Sequence, residues 1–405
     1  MAFGNQWRPS CHFAVAKIDD LIDNPKMSSN SKEILNLNNN ALMAATLGFE
    51  PNHKWSEVSK NQLNSDILQN EFCDVIGQMN EINLNDNSNQ NSIKEQQHRL
   101  ISFCFSKKES LMLQNYIKNG KADRIHDAFK SSPKEICRVS KNVFGNYVIQ
   151  LLLQFGTDQQ KDHISDKISD NCKDLAFNKY GSRVVETAIK HATDRNAKKF
   201  IKNLQDKFVQ CSIDINGTHI VQSLIEKDAE IANNVLNDEE VIFLLSKDTN
   251  GSRVVQKMIL YFRGAKQNDL LEKIMSKIKV LVLDRNGNYV VQTMLRLRHP
   301  NIFSRICDLV TKDIRKYSCH KYASNVVENC VLHGSKTVKE KIWRCIFDEM
   351  STFNILVNDP FGNYVLQKLI RNKDSKTRSL LSNKIKMDSA INGEKLIYFL
   401  RKLNE

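Results

Sequence analysis

The sequence has few of the features that mark a metalloprotein, a disulfide-rich secreted protein or a membrane protein. Its 10 cysteines are scattered, no two of them form a CxxC pair, and no HxxxH pattern or Cys/His cluster with zinc spacing occurs. No apolar stretch approaches the ~18 residues that a membrane-spanning helix needs. Scattered cysteines without a signal peptide predict a reducing environment, which we take to be cytoplasmic, and we expect no metal and no other cofactor.

Composition and charge divide the chain near residue 97. Residues 1–97 hold 7 Lys and Arg against 12 Asp and Glu, whereas the remainder holds 52 against 34. The first part also contains 17 asparagines, and such polar tracts bury too little apolar surface to offset the entropy of ordering. We predict that residues 1–96 form an acidic, Asn-rich and mostly disordered region. The positive charge of the rest indicates a polyanionic partner, or serves solubility alone.

A five-residue motif recurs eight times from residue 97 onward. Its first, second and fifth residues are polar or planar in the clear copies and its third and fourth are apolar, as in residues 146–150 (NYVIQ). The motifs start at residues 110, 146, 182, 218, 252, 288, 324 and 363, and those at 110 and 218 are the weaker copies. A repeat of about 36 residues is typical of a solenoid, in which each unit buries its apolar face against its neighbours. We therefore predict eight stacked units, numbered one to eight.

Each motif is predicted to lie in the first turns of a helix. In six units an Asx residue stands three places before the glycine that precedes the motif, where its side chain can cap the free N–H groups of a helix. These residues are Asn142, Asn178, Asp214, Asp248, Asp284 and Asp359. Pro360 suits the position after the cap, where no N–H is needed. Unit seven has His320 and Ala323 at these two places, so its helix start is less well specified.

The helical spacing predicts a row of polar triplets. The first and fifth residues lie one above the other, the second lies beside them, and the third and fourth point to the core. The triplets in unit order are Ser110, Leu111, Gln114; Asn146, Tyr147, Gln150; Ser182, Arg183, Glu186; Thr218, His219, Gln222; Ser252, Arg253, Gln256; Asn288, Tyr289, Gln292; Ser324, Asn325, Glu328; and Asn363, Tyr364, Gln367.

The triplets have the chemistry of base recognition. Asn with Gln matches the donors and acceptors of uracil, Glu only accepts and suits the N–H groups of guanine, and Ser with Gln suits adenine. The planar second residues can stack on bases. Exposed Asn, Gln and Glu are usually ordinary solvated residues, but their repetition in frame with planar neighbours disfavours that interpretation.

Residues 97–405 resemble the Pumilio (PUF) family of RNA-binding proteins. Residues 144–150 (FGNYVIQ) and 323–328 (ASNVVE) are similar to the second and seventh repeats of that family. The resemblance implies an all-α, right-handed α-solenoid of eight repeats over residues 97–380 and a C-terminal capping helix at 381–405. It also implies that a monomer binds single-stranded RNA on its concave face, antiparallel to the protein, with one base per unit.

Carried over unit by unit, the resemblance implies the site 5′-UGUA(U/N)GUA-3′, with unit eight at the first base. Three departures from the family pattern bear on it. Glu186 stands where Gln is usual and predicts G at the sixth base, Thr218 stands where Asn is usual and predicts a weak preference for U, and Leu111 replaces a planar residue at the last base.

The family resemblance further implies binding to mRNA 3′ untranslated regions, with repression of translation or mRNA decay through deadenylase or repressor proteins. Two alternatives are a helical-repeat scaffold that binds proteins and a ribosome-assembly relative. Residues 334–337 (GSKT) lack the first glycine of a phosphate-binding loop, and we expect no enzymatic activity.

Overall fold

The computed structural model describes residues 90–233, 237–371 and 401. Contacts divide the chain into two units, residues 1–67 and 68–405, and the first lies outside the described residues. The proposed Asn-rich region is described only from residue 90, where a helix begins and crosses the predicted boundary at 96. Of the proposed capping helix only residue 401 is described. Every regular element of the described residues is helical, and no helix among them is long and apolar enough to span a membrane.

The helices follow one another in a repeated order. A full repeat contains a first helix, a second helix and the helix that carries the motif, which we call the motif helix. Unit one has no second helix between Gln90–Phe103 and its motif helix, and of unit five only the second helix and the motif helix are described. The first helices are Gln90–Phe103, Asp123–Ser131, Asp158–Asp170, Asp194–Leu204, Gly264–Ser276, Pro300–Lys312 and Lys336–Phe347. The second helices are Pro133–Ser140, Cys172–Ala176, Phe208–Ile213, Glu239–Lys247, Ile278–Leu283, Ile314–Ser318 and Met350–Asn358. The motif helices are Lys107–Lys118, Gly145–Phe155, Gly181–His191, Gly217–Lys227, Gly251–Tyr261, Gly287–Arg296, Ala323–His333 and Gly362–Arg371. Short 3-10 turns occupy Gln205–Lys207 and Ala229–Ala232.

The motif helices form one continuous layer of the described residues. Each packs against the motif helix of the preceding and of the following unit. In units two to eight the third and fourth motif residues are buried in this layer, as predicted: Val254 and Val255 of unit five are both 0% exposed. Burying each such valine contributes ~1.5 kcal/mol or more to folding. In unit one Leu113 is buried and Met112 is half-buried. These apolar contacts join each motif helix to the next. They therefore fix the register in which the polar residues of successive motifs stack.

The predicted Asx caps are confirmed in the structure. In unit five the Asp248 Oδ1 atom accepts hydrogen bonds from the N–H groups of Asn250 at 2.9 Å and Gly251 at 2.7 Å. The Asp248 carbonyl oxygen accepts the first helical bond, from Ser252 N at 3.0 Å. Asn142, Asn178, Asp214, Asp284 and Asp359 make the equivalent pair of side-chain bonds. Pro360 therefore directly follows a capping residue, where its missing N–H costs nothing.

In unit seven a histidine replaces the Asx residue as the cap of the motif helix. The His320 Nδ1 atom accepts from Tyr322 N and from Ala323 N, both at 3.3 Å, which is longer than the corresponding Asx bonds. A reason lies in the residue that replaces glycine. A Cβ atom built on Gly251 would lie 2.7 Å from the Leu245 carbonyl oxygen, so the helix start must shift where alanine occupies this place. The weaker helix start predicted for unit seven agrees with these distances.

We predict that Asp248→Ala lowers the stability of the protein by about 1–2 kcal/mol, the usual cost of removing a capping side chain. The substitution leaves the N–H groups of Asn250 and Gly251 without their acceptor. Thermal unfolding followed by circular dichroism should show a lower midpoint. Asp248→Asn is the matched control, because asparagine caps units two and three. Equal midpoints for the alanine and asparagine variants would contradict the prediction.

Candidate nucleic-acid interface

The eight triplets lie on eight successive motif helices, and their members differ in exposure. The first residue of the triplet is buried in units one to seven, from Ser110 at 1% to Ser324 at 4% exposure, and half-buried in unit eight. The second residue is exposed in units one, three, five, six and eight, with Tyr289 at 53% and Tyr364 at 59%, and half-buried in the other three units. The fifth residue is half-buried in most units. The outer surface of the row is therefore made of the second residues, with the fifth residues partly accessible between them.

The Asn/Gln triplets contain an internal chain of hydrogen bonds. In unit six the Asn288 Nδ2 atom donates to the carbonyl oxygens of Asp284 at 2.9 Å and Arg285 at 2.8 Å. The Asn288 Oδ1 atom accepts from Gln292 Nε2 at 2.9 Å. Units two and eight repeat the bond from glutamine to asparagine at 2.9 and 3.1 Å. The buried asparagine thus holds the glutamine, whose remaining N–H and oxygen lone pair are the groups that can face a base.

Two of the three units with Ser or Thr before Gln, units four and five, hold their glutamine through the backbone. Gln256 Nε2 donates to the Ser252 carbonyl oxygen at 3.1 Å. Gln222 Nε2 donates to the carbonyl oxygen and the Oγ1 atom of Thr218, at 3.2 and 3.1 Å. The smaller first residue leaves more room beside the glutamine than asparagine does.

The two glutamates lie in different electrostatic surroundings. Glu186 pairs with Lys190 Nζ at 2.8 Å through Oε1 and with Arg183 NH1 at 3.2 Å through Oε2. For Glu328, burial raises the pKa of the carboxyl, and the charge of Lys368 lowers it in opposition. Both carboxylates can accept but not donate hydrogen bonds while ionised, as the prediction of guanine requires.

A row of planar groups crosses the middle units. Burial lowers the pKa of the His219 imidazole, and the charges of Arg183 and Arg253 on the neighbouring motif helices lower it further. The lowered pKa favours the neutral ring, and His219 lies on the motif helix between those that carry Arg183 and Arg253. Aromatic rings and guanidinium planes both stack on bases, so this row offers a surface on which successive bases can stack.

The residue directly after each five-residue motif, which we call the sixth position, was not among the predicted site residues. In three units it donates to the fifth residue of the preceding unit. Thr187 Oγ1 donates to Gln150 Oε1 at 3.2 Å, Thr293 Oγ1 to Gln256 Oε1 at 3.2 Å, and Asn329 Nδ2 to Gln292 Oε1 at 3.1 Å. The spacing of 37 residues between partners is the one signal in the sequence that could have indicated these pairs.

The described residues hold no group of three or more His, Cys, Asp or Glu side chains placed to bind a metal. Free thiols in this part of the chain are mostly buried, and burial raises the pKa of Cys172 to about 12. A thiol held in its protonated form is a poor nucleophile and a poor metal ligand. The triplets themselves consist mainly of amides, hydroxyls, carboxylates and planar groups.

Comparisons with known proteins agree with this description. The family model described as "Pumilio-family RNA binding repeat" matches residues 135–169, 171–204, 242–275, 278–311, 314–347 and 356–386. These matches contain the motifs of units two, three, five, six, seven and eight. The motifs of units one and four, which are the two weaker copies, lie outside the matched residues. The two units whose motifs the family model does not match are therefore the two with the weaker motifs.

Two sequence relatives and two solved structures are similar to the chain. A Pumilio domain-containing protein of Schizosaccharomyces pombe is 27% identical over 300 residues, 73% of this chain and 44% of the relative. Pumilio homolog 12 of Arabidopsis thaliana is 24% identical over 335 residues, 81% of this chain and 54% of the relative. The chain thus spans about half the length of these relatives.

The solved structures extend the likeness to the fold. The Puf3 RNA binding domain bound to a Cox17 RNA 3′ UTR recognition sequence superimposes with a TM-score of 0.67 at 26% identity, covering 82% of this chain and 99% of that one. PUF-8 in complex with PBE-RNA gives a TM-score of 0.70 at 22% identity, covering 84% and 100%. Together with the all-helical structure of the described residues, these matches confirm the predicted all-α repeat solenoid.

Proposed function

Because the chain belongs to the Pumilio (PUF) family, we propose that it binds single-stranded RNA along the row of triplets, with one base per motif helix. One observation carries the proposal. In units three, five, six and eight an exposed planar side chain lies beside a glutamine or glutamate that is held by hydrogen bonds or ion pairs within the protein. Stacking on planar side chains and recognition of the base edge by fixed amides are the two interactions that read unpaired bases.

The RNA sequence follows from the chemistry of each unit. We propose the site 5′-UGUA(U/N)GUA-3′, read from unit eight to unit one. Asn with Gln in units eight, six and two takes uracil, glutamate in units seven and three takes guanine, and Ser with Gln in units five and one takes adenine. The binding mode finds support in Puf3, whose structure was solved with a 3′ UTR recognition sequence.

We propose further that the target RNAs are mRNA 3′ untranslated regions and that binding represses translation or promotes decay in the cytoplasm. The chain acts as a monomer and recruits deadenylase or repressor proteins. These proposals rest on the resemblance to proteins roughly twice as long as this chain. No observation favours the protein-binding scaffold or the ribosome-assembly role, which would not need triplets of this chemistry, nor an enzymatic activity.

Fluorescence anisotropy with the full chain tests the proposal. We expect labelled 5′-UGUAUGUA-3′ to bind at least about 100-fold more tightly than 5′-ACAAUGUA-3′, because each lost base-edge contact costs about 1–3 kcal/mol and three are lost. Equal affinity for both would indicate a purely electrostatic interaction with the basic chain. No binding of either RNA would contradict the proposal and favour a protein-binding scaffold.

A further inference from the structure

The contact between units six and seven reaches from one triplet to the next. Asn329 occupies the sixth position of unit seven. Its Nδ2 atom donates one hydrogen bond to the Asn325 carbonyl oxygen, at 2.8 Å, and another to Gln292 Oε1 of unit six, at 3.1 Å. Both hydrogens of this amide are therefore used, one to hold Asn329 on its own helix and one to hold the neighbouring triplet.

The orientation of the Gln292 amide follows from the partners at both of its ends. The Asn288 Nδ2 atom faces two backbone carbonyl oxygens, which only accept, so its Oδ1 atom must face Gln292. Gln292 must then turn Nε2 toward Asn288 and Oε1 toward Asn329. Amide nitrogen and oxygen are distinguished by such networks, and here each step of the network has one solution. Gln292 is 7% exposed, so water does not replace these partners.

We propose that Asn329 is a positioning residue for the base that unit six reads, and that it makes this position select uracil over cytosine. The inference deepens the proposed function and rests on it. Asn329 lies on the motif helix of unit seven, yet its effect is expected at the third base of the site, not at the second base, which its own unit reads.

The selectivity follows from the fixed amide. Uracil presents an N3–H donor beside an O4 acceptor, whereas cytosine presents an N3 acceptor beside an N4 amino donor. The two patterns are related by exchanging donor and acceptor, so a glutamine that rotates by 180° about its terminal bond can match either base. A glutamine held in one orientation matches one base and opposes the other. Loss of the Asn329 bond removes one of the two constraints on Gln292.

Other units provide the comparison within the chain. Thr293 and Thr187 occupy the sixth position of units six and three and donate to Gln256 and Gln150. Each hydroxyl proton is shared with a carbonyl oxygen of its own helix, Tyr289 for Thr293 and Arg183 for Thr187. Asn329 has two protons for its two acceptors. Asn329 therefore donates a full hydrogen bond to the neighbouring glutamine, whereas each threonine divides one proton between two acceptors.

Asn329→Leu in the full chain tests the inference, because leucine occupies the sixth position of unit two as Leu151 and suits the same helix. Anisotropy titrations use the octamer and its variants with C at the third base and A at the second. We expect the preference for U over C at the third base to fall by about three- to tenfold, the net effect of one hydrogen bond. The preference for G at the second base should change by less than about twofold. Asn329→Thr should restore most of the lost preference.

Several outcomes would overturn the inference. These are an unchanged ratio at the third base, a loss confined to the second base, or an equal loss at all bases with a lower unfolding midpoint, which would indicate a structural role alone. If the leucine variant does not fold, Asn329→Ala removes the same bond without adding volume, and its ratio decides. If the unmodified protein does not bind the octamer, the proposed function is overturned and the inference falls with it. The titration of the unmodified protein separates this outcome from a failure of the inference alone.

Discussion

Replacing Glu186 by glutamine should move the preference at the sixth base from guanine toward adenine. The expected change in discrimination is about 1–3 kcal/mol, or roughly 5- to 150-fold in the ratio of affinities, which is typical of one bidentate contact with a base. A carboxylate only accepts hydrogen bonds, so it attracts the N1–H and amino groups of guanine and repels the N1 lone pair of adenine. Glutamine supplies the donor that adenine requires.

Unit five already contains the triplet that Glu186→Gln would create in unit three. Units three and five differ in the triplet only at the fifth residue, since both have serine first and arginine second. Ser182 and Ser252 each donate to a carbonyl oxygen of their own turn at 3.4 Å, so the two sites are built alike. Glu186→Gln would turn unit three into a copy of unit five, which is predicted to take adenine. It also frees Lys190 and Arg183 from their ion pair with the carboxylate.

Affinities of octamers with G or A at the sixth base, measured against both proteins, test this prediction. The other seven bases should keep their preferences, because each unit reads its own base. Glu226→Gln is a matched control: Glu226 also lies on a motif helix and pairs with a lysine, Lys257, but stands outside the triplets. Two results would refute the assignment of unit three: a preference of the unmodified protein for A, or a ratio that the substitution leaves unchanged.

The parts of the site that depend on local spacing could be predicted from the sequence. The helix starts followed from the capping residues, because a cap and the N–H groups that it satisfies lie within three residues of each other. The inward direction of Val254 and Val255 followed from the helical period. Local rules also identified unit seven as the exception, where His320 caps at 3.3 Å.

Contacts between units could not be predicted in the same way. The bond between Asn329 and Gln292 joins residues 37 positions apart, and its existence depends on how two helices stack. The depth of the first triplet residue was missed for the same reason: spacing places Asn288 on the face of Gln292, but packing against the adjacent motif helices leaves it 1% exposed. Periodicity gives the direction of a side chain, whereas burial depends on what lies in that direction.

Amino-acid composition alone does not indicate where the first helix of the repeats begins. Composition predicted that residues 1–96 are mostly disordered, and the helix Gln90–Phe103 begins inside that range. It packs against the helix Asp123–Ser131, and its residues Leu100 and Ile101 are 1% exposed. A few apolar residues on one face are enough to hold a polar helix when a neighbouring unit covers them. A fragment that starts at residue 97 would therefore cut this helix.

Tyr289→Ala should weaken binding of the octamer by about 1–3 kcal/mol, the range for losing one stacked base. Tyr289 is 53% exposed on the motif helix of unit six, which packs between the motif helices that carry Arg253 and Asn325. An exposed ring contributes little to folding, and alanine favours the helix, so the unfolding midpoint should not fall. A lower affinity at constant stability is what a residue of the binding surface predicts.

Two variants separate stacking from other effects of the substitution. Tyr289→Phe keeps the ring and should bind the octamer within about twofold of the unmodified protein, because the stack and not the hydroxyl carries the contact. Phe155→Ala removes a ring that is equally exposed, at 52%, but lies at the last position of the unit-two motif helix, away from the triplets, and should not affect binding. If Tyr289→Ala binds as tightly as Phe155→Ala, the RNA does not lie over the second residues of the motif helices, and the row of triplets is not the interface.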